Sequence, residues 1–356
     1  MTRILLTTDA VGGVWRYTIE LAHSFAARGA EMVLAVLGPP PNAAQQLEAA
    51  AFRLCVTGLP LDWTADSPAE LDAAAETLAR LAWAVQADTV HLHSPALMGA
   101  AVWPVPVVVV AHSCVATWWK AVRGGPLPAD LAWRERAVAA GLAAADTVIA
   151  PTASFANDLR DCYGLQRRIT VIHNGRRPMT TRAERRPVAL TAGRLWDEGK
   201  GLAILDAAAA ALPYPVEAAG AMRGPHGASI TLKYVHSLGS LSEVEMAQAY
   251  AQAAIFVSAG RYEPFGLAVL EAGQAGCALV LADIPTFREL WDGAAVFVPP
   301  GNPERLAEAV GRLLDDPSAC TRAGLLARTC AARFSVERMA AATWAVHAGL
   351  LLREAA

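Results

Sequence analysis

Short apolar runs, rich in valine, isoleucine and leucine, recur along the chain, and longer stretches in which apolar side chains return every three or four positions lie between them. The first pattern reads as buried strands and the second as amphipathic helices. Residues 4–8 open the series as a strand, and the helical pattern of 15–28 follows a loop holding Gly12 and Gly13. Strands are expected at 31–37 and 52–56, then a helix at 67–86. A strand at 89–93 puts His91 and His93 on one face, because strand side chains alternate. Residues 105–110 are valine apart from Pro106, the mark of a parallel strand covered on both faces, and this strand delivers His112 to its carboxyl end. A helix at 129–144, a strand at 147–150, a helix at 154–163 and a strand at 169–172 complete the first half.

The same alternation restarts after a charged, proline-bounded stretch at 174–187. Strands are expected at 188–191, 215–219, 231–235, 254–257, 278–282 and 295–298, with helices running to 212, over 242–253 and from 303 onward. Alternating strands and helices imply a parallel sheet with helices on both faces, and 356 residues exceed one average domain. The natural division is 1–174 and 187–335. The remaining segment, 336–356, carries Met339, Thr343, Val346 and Leu350 at helical spacing and should pack across another surface.

Chemistry gathers at the predicted strand ends. In Gly260-Arg-Tyr-Glu-Pro-Phe-Gly-Leu-Ala-Val-Leu-Glu271, Pro264 suits the first position of a helix and Gly266 permits close backbone approach, so Glu263 should lie on a loop and Glu271 within the helix. The amides of Phe265, Gly266 and Leu267 would begin that helix and suit an anion or sugar hydroxyls. Arg194 leaves another strand end and Lys200 opens the next helix, a pairing that could clamp a diphosphate. Each residue also has an ordinary reading: a solvated turn for Arg194 or Lys200, a tight turn for Gly12 and Gly13, a hydrogen-bonded core histidine for His91, His93 or His112. Trp118-Trp119-Lys120 could stack on a sugar or pack a loop.

Composition narrows the classes. With 54% hydrophobic and 18% charged residues a large core can be buried and disorder is not expected. The longest apolar run, 102–111, is broken by Pro104 and Pro106 and falls short of the roughly 20 residues of a membrane helix. A net charge of −3 gives no general attraction to nucleic acid. Six cysteines without a C-x-x-C pair indicate neither a zinc site nor a secreted disulfide framework, and the first strand starts with no export leader before it, so a cytoplasmic location is expected. No D-x-D occurs, so a metal-held diphosphate is not expected; no other metal and no cofactor is expected either.

Taken together, Gly12-Gly13, His112, Gly193-Arg194 with Lys200-Gly201, and Glu263-Pro-Phe-Gly266 through Glu271 resemble, in type and order, the motifs of the retaining glycosyltransferases of family 4, over a span from the first strand to about Phe334. The resemblance implies the α/β GT-B fold, two Rossmann-like doubly wound domains facing a central cleft: an acceptor-side domain at 1–174, a nucleotide-sugar domain at 187–335, and a C-terminal helix at 336–356 crossing back to the first. It implies that Arg194 and Lys200 bind the leaving diphosphate, Glu271 the ribose, Glu263 a hydroxyl of the transferred sugar, Gly12 and Gly13 the sugar or diphosphate, and the carbonyl or ring of His112 the sugar near its anomeric carbon. His112 and Glu263 would then be the catalytic pair, in retaining, metal-independent hexosyl transfer from a UDP-, GDP- or ADP-sugar. The acceptor could be a carbohydrate, a lipid or a small molecule, with peripheral membrane contact compatible. The chain departs from the family at Arg176-Arg177, where relatives often have Val-Asp, and this leaves the donor base and sugar open. A non-catalytic nucleotide-sugar scaffold or sensor is the alternative. An NAD-dependent oxidoreductase would need the G-x-G-x-x-G fingerprint, which is missing.

Overall fold

The computed structural model describes residues 1–179, 181, 183–224 and 227–354. It separates into two compact units: Met1–Gly175 with the segment from Ser335 onward, and Arg176–Phe334.

The first unit holds seven strands: β1 (Arg3–Asp9), β2 (Glu31–Leu37), β3 (Arg53–Val56), β4 (Thr89–Leu92), β5 (Val107–Val110), β6 (Thr147–Ala150) and β7 (Thr170–Val171). They form one parallel sheet in the order β3-β2-β1-β4-β5-β6-β7. Strand order reverses between β1 and β4. Right-handed crossovers on either side of that reversal place their helices on opposite faces of the sheet, and the crevice at the carboxyl ends of the strands is where such sheets bind ligands. All four valines of β5 are buried, as a strand covered on both faces requires.

The helix Val336–Glu354 is part of this unit and lies against the helix Gly13–Ala26. Its buried positions are Val336, Met339, Ala340, Thr343, His347 and Leu350, which recur every three to four residues. The inward stripe therefore includes His347, where the apolar spacing alone pointed to Val346, which is only half-buried.

The second unit has six parallel strands: β8 (Arg186–Ala192), β9 (Val216–Ala219), β10 (His236–Gly239), β11 (Ala253–Ser258), β12 (Ala278–Ala282) and β13 (Val296–Val298), in the order β10-β9-β8-β11-β12-β13. The reversal falls between β8 and β11. One expected strand is displaced: residues 231–235 are a loop, and the strand begins at His236. The cause is Asp206, whose carboxylate accepts the amides of Lys233 (3.0 Å), Tyr234 (2.9 Å) and Val235 (2.9 Å), donors that a sheet ladder would otherwise take. Among the described residues no helix is long and apolar enough to cross a membrane.

Candidate functional site

In the second unit the loop after β8 is built by Asp197 and two glycines. The Asp197 carboxylate accepts the Gly199 amide at 2.9 Å and so caps the single 3-10 turn Glu198–Lys200. Gly201 follows with φ +69°, and a Cβ there would sit 2.3 Å from the carbonyl oxygen of Ala259, so only glycine lets this turn lie against the end of β11. The Arg261 amide donates to the Gly199 carbonyl at 3.0 Å across the same contact. These constraints deliver Lys200 Nζ to 2.5 Å from Glu263 Oε2, with side chains 22% and 15% exposed. Arg194, on the same loop, is half-exposed. It sits 3.3 Å from Asp197 Oδ2 and over the Trp196 ring at 5.6 Å.

Glu263 is on the loop after β11, and the helix that follows is Leu267–Ala275. The helix starts later than Pro264 suggests. Gly266 is its N-cap, at φ +91°, and Phe265 stands ahead of it with its ring buried edge-on to Phe334. A proline favours a first helical position but does not require one, and burial of the Phe265 ring fixes the loop first. Of the three amides expected to open the helix, Leu267 does so, Gly266 caps it, and Phe265 lies outside it. Being glycine, this N-cap brings no side chain of its own to cap the helix. A Cβ on Gly266 would lie 3.2 Å from Glu263 Cγ, so the glycine also sets how closely Glu263 and the helix start approach.

Glu271 lies on the second turn of that helix, in a different network. Its Oε1 accepts Arg176 Nε at 2.8 Å and its Oε2 accepts the Tyr250 hydroxyl at 3.1 Å. Arg176 reaches Glu243 Oε1 through Nη2 at 2.9 Å, and its side chain is only 6% exposed. Burial, with the Glu271 charge beside it, pushes the Tyr250 hydroxyl well above its ordinary value, so it stays protonated and donates. Among the described residues no hydrogen bond joins Glu271 to Lys200 or Glu263. Arg176, Tyr250 and Glu243 were not foreseen as site residues. They come from three separate segments, and the only sequence signal was the departure at Arg176-Arg177.

In the first unit, Gly12 is the extended N-cap of the helix Gly13–Ala26, again without a side-chain cap, and no atom lies within 4 Å of where its Cβ would be. Neither crowding nor a left-handed backbone requires glycine at position 12. What Gly12 leaves is open space at the start of the helix Gly13–Ala26, just beyond the carboxyl end of β1. His112 stands two residues past β5, its Nε2 2.9 Å from His93 Nδ1. His93 Nε2 lies 3.0 Å from Thr18 Oγ1, His91 Nδ1 lies 3.0 Å from His347 Nε2, and His347 Nδ1 lies 3.1 Å from Thr89 Oγ1. The Tyr17 ring meets His112 and His93 edge-on at 4.9 and 5.2 Å. Burial lowers His112 to about 4 and His347 to about 3, and holds His91 and His93 well below the ordinary imidazole range, so the cluster is neutral near pH 7. Among the described residues no group of three or more histidine, cysteine or carboxylate side chains is placed to hold a metal ion. Trp118 and Trp119 are both half-buried on the helix Val115–Val122.

Both units have known relatives. Residues 11–178 match the family described as Glycosyltransferase Family 4, and residues 186–316 match Glycosyl transferases group 1. A glycogen synthase of Mycobacterium tuberculosis is 29% identical over 285 positions, covering 68% of this chain and 63% of the relative, so the chain spans less than two thirds of that relative's length. A D-inositol 3-phosphate glycosyltransferase of Streptomyces bingchenggensis is 28% identical over 398 aligned positions, covering 96% of this chain and 85% of the relative. Among solved structures, Anabaena HepE in complex with UDP and glucose superposes with a TM-score of 0.77 at 16% identity, over 98% of this chain and 100% of that one. The two parallel-sheet units are the two domains of a GT-B fold, and the chain belongs to the group 1 glycosyltransferases of family 4.

Proposed function

We propose that the chain is a retaining hexosyltransferase that takes its sugar from a nucleoside diphosphate donor. The observation that carries this reading is the Lys200–Glu263 pair at 2.5 Å, half-covered at the strand ends of the second unit, with Arg194 on the same loop and the start of the helix Leu267–Ala275 beside it. A cation, a carboxylate and a helix N-terminus with a glycine N-cap suit a diphosphate joined to a polyol. The HepE complex with UDP and glucose supports a nucleotide-sugar donor on this fold.

In this reading the anomeric C–O bond to the diphosphate breaks, positive charge develops at the anomeric carbon, and Arg194 and Lys200 stabilise the charge growing on the leaving phosphate. Such a fixed donor is worth about 3–4 kcal/mol. The acceptor hydroxyl attacks from the face the diphosphate leaves, its proton passing to a departing phosphate oxygen, which retains the configuration without a metal or a protein nucleophile. Glu263 takes a sugar hydroxyl, exchanging part of its contact with Lys200. Glu271 takes the ribose with the lone pairs that Arg176 and Tyr250 leave, and His112 takes the transferred sugar.

The test is a panel of UDP-, GDP- and ADP-hexoses, with and without acceptors, followed by release of nucleoside diphosphate and by the anomeric proton coupling of the product. One donor should turn over, with slow hydrolysis when no acceptor is present and retained configuration in the product. Tight donor binding without release would favour a sensor or scaffold. Neither binding nor release would end the proposal.

A further inference from the structure

The histidine pairs of the first unit carry information in the placement of their protons. Thr18 has one hydroxyl proton, donated to the Val14 carbonyl one helical turn back at 2.8 Å. Its oxygen therefore meets His93 Nε2 as an acceptor, and the single ring proton of a neutral His93 sits on Nε2. His93 Nδ1 is then a bare lone pair. His112 Nε2 lies 2.9 Å from it and must supply the proton of that bond. A neutral His112 protonated at Nε2 has its own lone pair on Nδ1, to which no described residue is hydrogen-bonded, on a side chain that remains partly exposed at the carboxyl end of β5.

A second relay is built the same way. Thr89 donates its hydroxyl proton to the Pro106 carbonyl at 3.1 Å, accepts from His347 Nδ1, and leaves His347 Nε2 to accept from His91 Nδ1. That relay ends on His91 Nε2, which is fully buried and has no hydrogen-bond partner. One threonine-anchored relay thus ends on a sealed lone pair, and the other ends on a lone pair at the rim of the sheet.

We propose that Thr18 and His93 are positioning residues that lock His112 in its Nε2–H tautomer, so that His112 presents an acceptor atom, and not an N–H, to the group it binds. The inference rests on the reading of the chain as a hexosyltransferase only for what His112 binds, namely a donating hydroxyl of the sugar. The relay itself is independent of that reading.

Long-range proton–nitrogen correlation spectra of the 15N-histidine-labelled protein test the tautomers directly. His93 and His112 should both show the Nε2–H pattern in the ligand-free protein. Thr18→Val, which removes the acceptor at nearly constant shape, should transfer a measurable fraction of His112 to the Nδ1–H form, and Thr18→Ser should restore the parent pattern. On the donor that the panel identifies, Thr18→Val should lower kcat/KM at least tenfold while the affinity for free nucleoside diphosphate stays within about twofold. Wild-type His112 protonated on Nδ1 would overturn the proposal even if Thr18→Val failed to fold, and so would unchanged tautomers in a folded Thr18→Val. An absence of donor turnover with the expected tautomers would instead count against the hexosyltransferase reading.

Discussion

Acidification should unfold the first unit well before most carboxylates protonate, and the size of the effect follows from its buried histidines. His91, His93 and His347 are 0%, 9% and 1% exposed and are held neutral by burial, whereas the unfolded chain protonates each near pH 6.5. The folded values are depressed, so below pH 6.5 the unfolded state binds more protons. The stability these groups contribute is complete above about pH 6.5 and is lost as the pH falls through the window down to the folded values, about 3 for His347. At about pH 5 His347 alone costs roughly 2 kcal/mol relative to neutral pH, and His91 and His93 act in the same direction. Burial raises the Asp62 carboxyl, which has the opposite sign and offsets part of this loss. Urea titrations followed by circular dichroism at about pH 7.5, 6 and 5 measure the effect. The unfolding midpoint should fall steeply between the last two, and the double variant His91→Leu with His347→Leu should show a clearly shallower fall. A wild-type midpoint that does not move between pH 7.5 and 5, or a double variant with the same slope, would refute the reasoning.

Two further substitutions test the second unit. Arg176→Met removes the cation that joins Glu271 to Glu243, so that Glu271, 16% exposed, keeps only the Tyr250 hydroxyl, while Glu243 is already 41% exposed. It should cost about 1.5–3 kcal/mol in urea titration and raise the KM for the donor, and a loss under about 0.5 kcal/mol would show that Arg176 does not hold Glu271 in place. Gly201→Ala forces a side chain into φ +69° and against the Ala259 carbonyl at 2.3 Å, so it should destabilise the unit by at least about 1–2 kcal/mol and weaken diphosphate binding tenfold or more. Parental binding in that variant would mean that the contact does not set the position of Lys200.

The sequence carried the sheet architecture because valine-rich runs such as 105–110 and the strand-to-helix alternation are local signals. It also carried the placement of Glu263 on a loop and Glu271 in a helix, since Gly266 is needed where φ is +91°. Less legible was anything set by residues distant in sequence. The strand expected at 231–235 gives way to a loop because Asp206, some 27 positions earlier, takes its amides. Arg176 finds Glu271 across 95 positions, and His91 finds His347 across 256, so neither pairing has a periodicity to betray it. The helix start shifted from Pro264 to Leu267 because local preference yielded to burial of Phe265.

A retaining hexosyltransferase of this build depends above all on the affinity of the second unit's loop cations for a diphosphate. Calorimetric titration of the full chain with UDP, GDP and ADP should show one of them bound, with Lys200→Ala and Arg194→Ala each weakening it tenfold or more and Glu263→Gln leaving it within about threefold. Unchanged affinity in both cation variants, for every nucleotide that binds the parent protein, would contradict that dependence.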